Sequence, residues 1–93
     1  MEESRKKVLV VDDEQDLCEI LKFNLETEGY EVDTAYSAEE ALNLELKSYS
    51  LLLLDVMMGG MSGFALAKKL KSEPSTASIP IIFLTARDTE NDT

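Results

Sequence analysis

The chain has 93 residues, nine basic against nineteen acidic for a net charge of −10, with 44% hydrophobic and 30% charged residues. That length excludes two domains, and that composition excludes a disordered chain. The charge disfavours nucleic acid or an anionic membrane as partner of this segment, while the lack of histidine and the lone Cys18 exclude zinc sites, histidine catalysis and an internal disulfide.

Residues 7–11 read as a strand, because Val and Leu run without alternation, as in a strand covered on both faces. A helix is predicted from Glu14 to Glu28, with Leu17, Cys18, Leu21 and Leu25 in its apolar stripe, Ile20 widening it, and Gly29 as the stop. Cys18 on that stripe reads as core packing, not redox chemistry. Tyr30, Val32 and Thr34 alternate with Glu31 and Asp33, which suits an edge strand with one wetter face. Ser37 and Glu40 form a capping box for a second helix whose buried stripe is Ala38, Ala41, Leu42 and Leu46. The segment "SLLLLDVM" is apolar enough for a central strand of a parallel sheet, ending at Asp55. Gly59 and Gly60 make a loop, Ser62 caps a third helix, and Phe64, Ala67 and Leu70 line it. "SIPIIFLTA" is the fourth strand, with Pro80 near its start, and the tail "ARDTENDT" is too polar to order unaided.

Strands alternating with helices predict an α/β fold with right-handed crossovers, a flavodoxin-like parallel sheet in the order 2-1-3-4 with flanking helices. Ligands of such sheets sit outside the carboxyl ends of the strands, where Asp12 and Asp13 after the first strand meet Asp55 at the end of the third. Singly, each acid reads as a helix cap or a strand terminator. Their convergence reads differently. Three carboxylates in one crevice demand a cation or a shared proton, and oxygen-only ligands suit Mg2+ beside a phosphate. Glu14, Asp16 and Glu19 are ordinary first-turn acids. With no Ser/His, Cys/His or phosphate-loop pattern, the nucleophile is itself a carboxylate, and Asp55 after its apolar run is the candidate.

Together "VLVVDDE", "LLLLDVMM…GMSGF" and "IPIIFLTA" resemble the receiver domain of two-component response regulators, over nearly the whole chain. The resemblance implies that Asp12 and Asp13 are the metal-binding acid pair, Asp55 the phosphoacceptor, and the main-chain carbonyl of Met57 a further Mg2+ ligand. Thr85, with Ala86 beside it, matches the hydroxyl residue that swings toward the phosphoryl group. It further implies a sensor histidine kinase as donor, an output domain or downstream protein as reader, and no enzyme activity in the usual sense. The sequence departs from the family in two places. Gly59 stands where proline is expected, with Met58 and Met61 as loop packing. The family's last strand and helices, with their lysine and aromatic switch residue, have no counterpart, and Lys68, Lys69 and Lys71 on the third helix cannot substitute.

Residues 1–93 are therefore expected to be a C-terminally truncated receiver domain. Its fourth-strand edge would be open to homo-oligomerisation or domain swapping, and phosphorylation would be impaired. Two other readings stay open: a self-associating fragment whose acid pocket is vestigial, and, last, a magnesium-dependent phosphotransferase or phosphatase of similar topology. "VVDDEQD" lacks the Asp-x-Asp that haloacid-dehalogenase-like enzymes need. No stretch matches a secretion signal or a membrane span, so a reducing cytoplasm is the expected location.

Overall fold

The computed structural model describes residues 6–84. Thr85, Ala86 and the acidic tail lie outside them. The elements run β1 (Lys7–Val11), α1 (Gln15–Thr27), β2 (Glu31–Ala35), α2 (Ala38–Leu42), a 3-10 turn (Leu46–Ser48), β3 (Leu51–Asp55), α3 (Gly63–Lys71) and β4 (Ile81–Leu84). The four strands are parallel in the order β2-β1-β3-β4, as the alternation of elements predicts.

Successive side chains of a strand point to opposite faces, so an uninterrupted apolar run must be covered twice. β1 and β3 obey this. Leu9, Val11, Leu52 and Leu54 pack with Ala38, Ala41, Leu66, Ala67 and Leu70 on the face covered by α2 and α3. Val8, Val10 and Leu53 pack with Cys18 and Val32 on the face covered by α1, where Leu21 and Leu25 complete the contact. Register places Val8 opposite both Val32 and Leu51, and Val11 opposite Ala35 and Leu54, so β1 and β3 end side by side.

Three apolar side chains depart from the expected stripes. Ile20 is 57% exposed, because at 3.6 residues per turn it lies about 160° around the axis from Cys18. Phe64 is 58% exposed on the flank of α3, where its ring meets Phe83 edge-on with centroids 4.8 Å apart. α2 stops at Leu42: the N–H groups of Asn43 and Leu44 donate three residues back, to the carbonyls of Glu40 and Ala41, which tightens the last turn. Leu46 is still buried, but the separate 3-10 turn delivers it. Ser37 and Ser62 cap α2 and α3 as expected, accepting from the N–H of Glu40 at 3.0 Å and of Ala65 at 3.1 Å. In α1 the residue at the cap position is Glu14, whose side chain makes no capping bond.

Candidate functional site

Asp12 follows directly on β1, and its N–H donates to the Ala35 carbonyl at 3.0 Å, which ties the strand exit to β2. Its side chain turns back: Oδ1 accepts the Glu14 N–H at 2.9 Å. That bond satisfies a free N–H at the start of α1, a duty that Glu14 itself does not perform. The Cys18 thiol donates to the Asp12 carbonyl at 3.2 Å, so the helix stripe also steadies this turn. Burial and the nearby acids push that thiol up to about 11, which makes it a packing group and not a nucleophile.

Asp55 closes β3, and its Oδ1 accepts the Met57 N–H at 3.3 Å. The backbone beyond it is held from two sides. Val56 N–H donates to the Leu84 carbonyl at 3.4 Å, and the Gly63 N–H at the start of α3 donates to the Val56 carbonyl at 3.1 Å.

The adjacency of β1 and β3 thus brings together the acids that the strand order predicts. Asp12, Asp13 and Asp55 each offer a carboxylate oxygen, all within 4.8 Å of one another, with Asp12 2% and Asp55 3% exposed and Asp13 at the mouth. Burial raises the Asp12 carboxyl above its usual range; the charges of Asp55, Asp13 and Glu14 add to this, and the Glu14 N–H bond opposes it. Among the described residues the one ion pair, Lys22 with Glu26, lies along α1 away from the site. No basic side chain among them pairs with the three acids.

Whether a small cation fits is a matter of span. Oxygens around Mg2+ at about 2.1 Å stand about 3 Å apart when adjacent and about 4.2 Å when opposed. A set within 4.8 Å therefore needs only a small inward adjustment of side chains. The donors are all hard oxygens, which favours Mg2+ over softer metals. Met57 lies two residues beyond Asp55 on the same exit, with its side chain 65% exposed. Thr85 and Ala86, expected near the site, lie outside the described residues.

Two supports of the site are not evident from the sequence. The Asp12 side chain, not Glu14, serves the first turn of α1; the "DDE" run contains that possibility without distinguishing its acids. Gly63 approaches the backbone of Asp55, a proximity that only the packing of α3 on β3 reveals.

Residues 8–93 match the family model described as the response regulator receiver domain. Among curated proteins, the chain is 45% identical over 87 residues to the phosphate regulon transcriptional regulatory protein PhoB of Rhizobium meliloti, covering 92% of this chain and 38% of the relative. It is 43% identical over 88 residues to the alkaline phosphatase synthesis transcriptional regulatory protein PhoP of Bacillus subtilis, covering 94% of this chain and 36% of the relative. The chain therefore spans less than two fifths of the length of these relatives. Among solved structures, chemotaxis protein CheY4 of Vibrio cholerae superposes with a TM-score of 0.84 at 32% identity, covering 94% of this chain and 73% of the other. Response regulator protein TrrA of Thermotoga maritima, solved in complex with Mg2+–BeF, gives 0.81 at 43% identity, covering 89% of this chain and 71% of the other.

Proposed function

Because the chain belongs to the response regulator receiver family, a family of regulatory modules, we propose that residues 1–93 form one domain that accepts a phosphoryl group on Asp55 from a sensor histidine kinase. The observation that carries this reading is the trio of carboxylates within 4.8 Å at the joined ends of β1 and β3.

In this reading Asp12, Asp13, Asp55 and the Met57 carbonyl hold Mg2+, the ion with which TrrA was solved in complex. Bound there, Mg2+ would offset the negative charge that otherwise repels an incoming phosphoryl group. An Asp55 oxygen attacks phosphorus as the bond from phosphorus to the kinase imidazole nitrogen breaks, and that nitrogen leaves with the bond's electron pair. The Met57 N–H orients the Asp55 carboxylate, and the Glu14 N–H fixes that of Asp12. Thr85 would meet the transferred group through its hydroxyl.

The readout belongs to an output domain or a downstream protein. With a net charge of −10, this segment is unsuited to bind nucleic acid itself. No helix among the described residues is long and apolar enough to cross a membrane, and a cytoplasmic location agrees with a kinase donor and a free buried thiol.

Mass measurement after incubation with Mg2+ and a small-molecule phosphodonor tests the proposal. The wild-type chain should gain one phosphoryl mass, and Asp55→Asn, or wild type with a chelator, should gain none. An unmodified wild-type chain that still binds Mg2+ would favour the second reading, a self-associating fragment. That reading rests on β4 as the outermost strand among the described residues, with Ile82 52% exposed.

A further inference from the structure

Gly63 is the first residue of α3 and has no positive φ, so its backbone conformation does not require glycine. Space does. A methyl group at this position would overlap the Asp55 carbonyl oxygen, lie 2.9 Å from the Asp55 carbonyl carbon, and lie 3.1 Å from Cα of Val56. All three are backbone atoms, so no rotamer change relieves the contact, in contrast to Gly60, whose nearest obstacle is the flexible Glu39 carboxylate. Gly63 is also bonded to the same segment, its N–H donating to the Val56 carbonyl at 3.1 Å. Gly59, four residues earlier, has nothing within 4 Å.

We propose that Gly63 is a positioning residue for the acid site: its bare Cα seats the start of α3 on the Asp55–Val56 peptide and thereby sets where the Asp55 carboxylate and Met57 stand. The inference rests on the reading of Asp55 and Met57 as metal-site groups and adds the element that holds them. Asp12 and Asp13 come from the end of β1, which this contact does not touch. Displacing α3 therefore shifts half of the site relative to the other half. Ser62 secures the same seat by capping α3 through the Ala65 N–H at 3.1 Å, so removing its hydroxyl loosens the seat without adding bulk.

The test is a Mg2+ titration of the 93-residue chain followed by backbone amide NMR, with the Met57 amide as reporter and folded fraction checked by circular dichroism. Gly63→Ala should shift the Met57 amide without metal and weaken Mg2+ binding about tenfold, the scale for groups that orient metal ligands. Ser62→Ala should weaken it several-fold, and Gly59→Ala should match wild type. Ala67→Gly, which destabilises α3 one turn beyond Gly63 without adding bulk, should also keep wild-type Mg2+ affinity when folded. Should Gly63→Ala fail to fold, Ser62→Ala decides. Wild-type affinity in the folded Gly63 and Ser62 variants, or an equal loss in Ala67→Gly, overturns the inference, as does a wild-type chain that does not bind Mg2+. Wild type that binds Mg2+ yet gains no phosphoryl group sinks the phosphoacceptor reading alone.

Discussion

Ionisation of Asp12 inside the pocket proceeds against burial and against the charges of Asp55 and Asp13. Its carboxyl is raised above the unfolded value of 3.8, so the folded chain holds that proton more tightly than the unfolded one. This contribution to stability is fully present below pH 3.8 and is lost as pH rises through the raised value. Mg2+ needs the carboxylate, so metal binding runs the other way. The Mg2+-induced rise in thermal midpoint should shrink as pH is lowered from neutrality through the raised carboxyl range, and a rise that stays constant down to pH values near 3.8 would contradict the assignment of Asp12 as a ligand. Asp13 allows a complementary test, being an exposed charge whose main cost falls on its buried neighbour. Asp13→Asn should stabilise the metal-free chain by about 0.5 kcal/mol, or about 2–4 °C in midpoint, and should weaken Mg2+ binding. Loss of stability on that substitution would show that repulsion does not govern the metal-free acids.

α2 illustrates how an element can depend on its ends. Its five residues are too few to be helical by propensity, so the caps and the packing of Ala38 and Ala41 must hold it. Ser37 accepts the Glu40 N–H, and the Glu40 carboxylate accepts the Tyr36 N–H at 2.6 Å, a variant of the capping box that fixes the entry from β2. Ser37→Ala should cost about 1 kcal/mol in urea unfolding, with an unchanged slope if only the cap is lost. The Ser37 and Ser62 caps, the four strands and the meeting of Asp12, Asp13 and Asp55 were legible in the sequence, because each follows from short-range chemistry or from the parallel strand order; the Asp12 bond at the start of α1 was not. The exit of α2 at Leu42 was not, since Leu46 has the spacing of a fourth helical position and is buried by a 3-10 turn instead. Ile20 and Phe64 were misplaced for the same reason, since apolar character at roughly the right spacing does not say which side chains a neighbouring element will reach. Gly63 was legible only as part of a motif, because its close approach to Asp55 is a property of the packed pair.

Over the whole molecule two forces of different range compete in any association of copies. The charge of −10 repels at distance and is screened within about 8–10 Å at physiological salt. At contact, β4 presents an outer side without a strand partner among the described residues, Ile82 is 52% exposed, and Leu51 and Leu84 are only partly buried. If strand pairing at this edge drives association of the 93-residue chain, the mass found by light scattering should rise with protein concentration and with ionic strength, as repulsion fades. Ile82→Lys separates the two forces, because it reduces the negative charge by one, from −10 to −9, while placing a charged side chain on the edge. Were charge in control, the variant would associate more than wild type. Edge pairing requires the opposite, a variant that stays monomeric under salt conditions in which wild type does not. A wild-type chain that remains a single monomeric species at high concentration and high salt would remove self-association altogether.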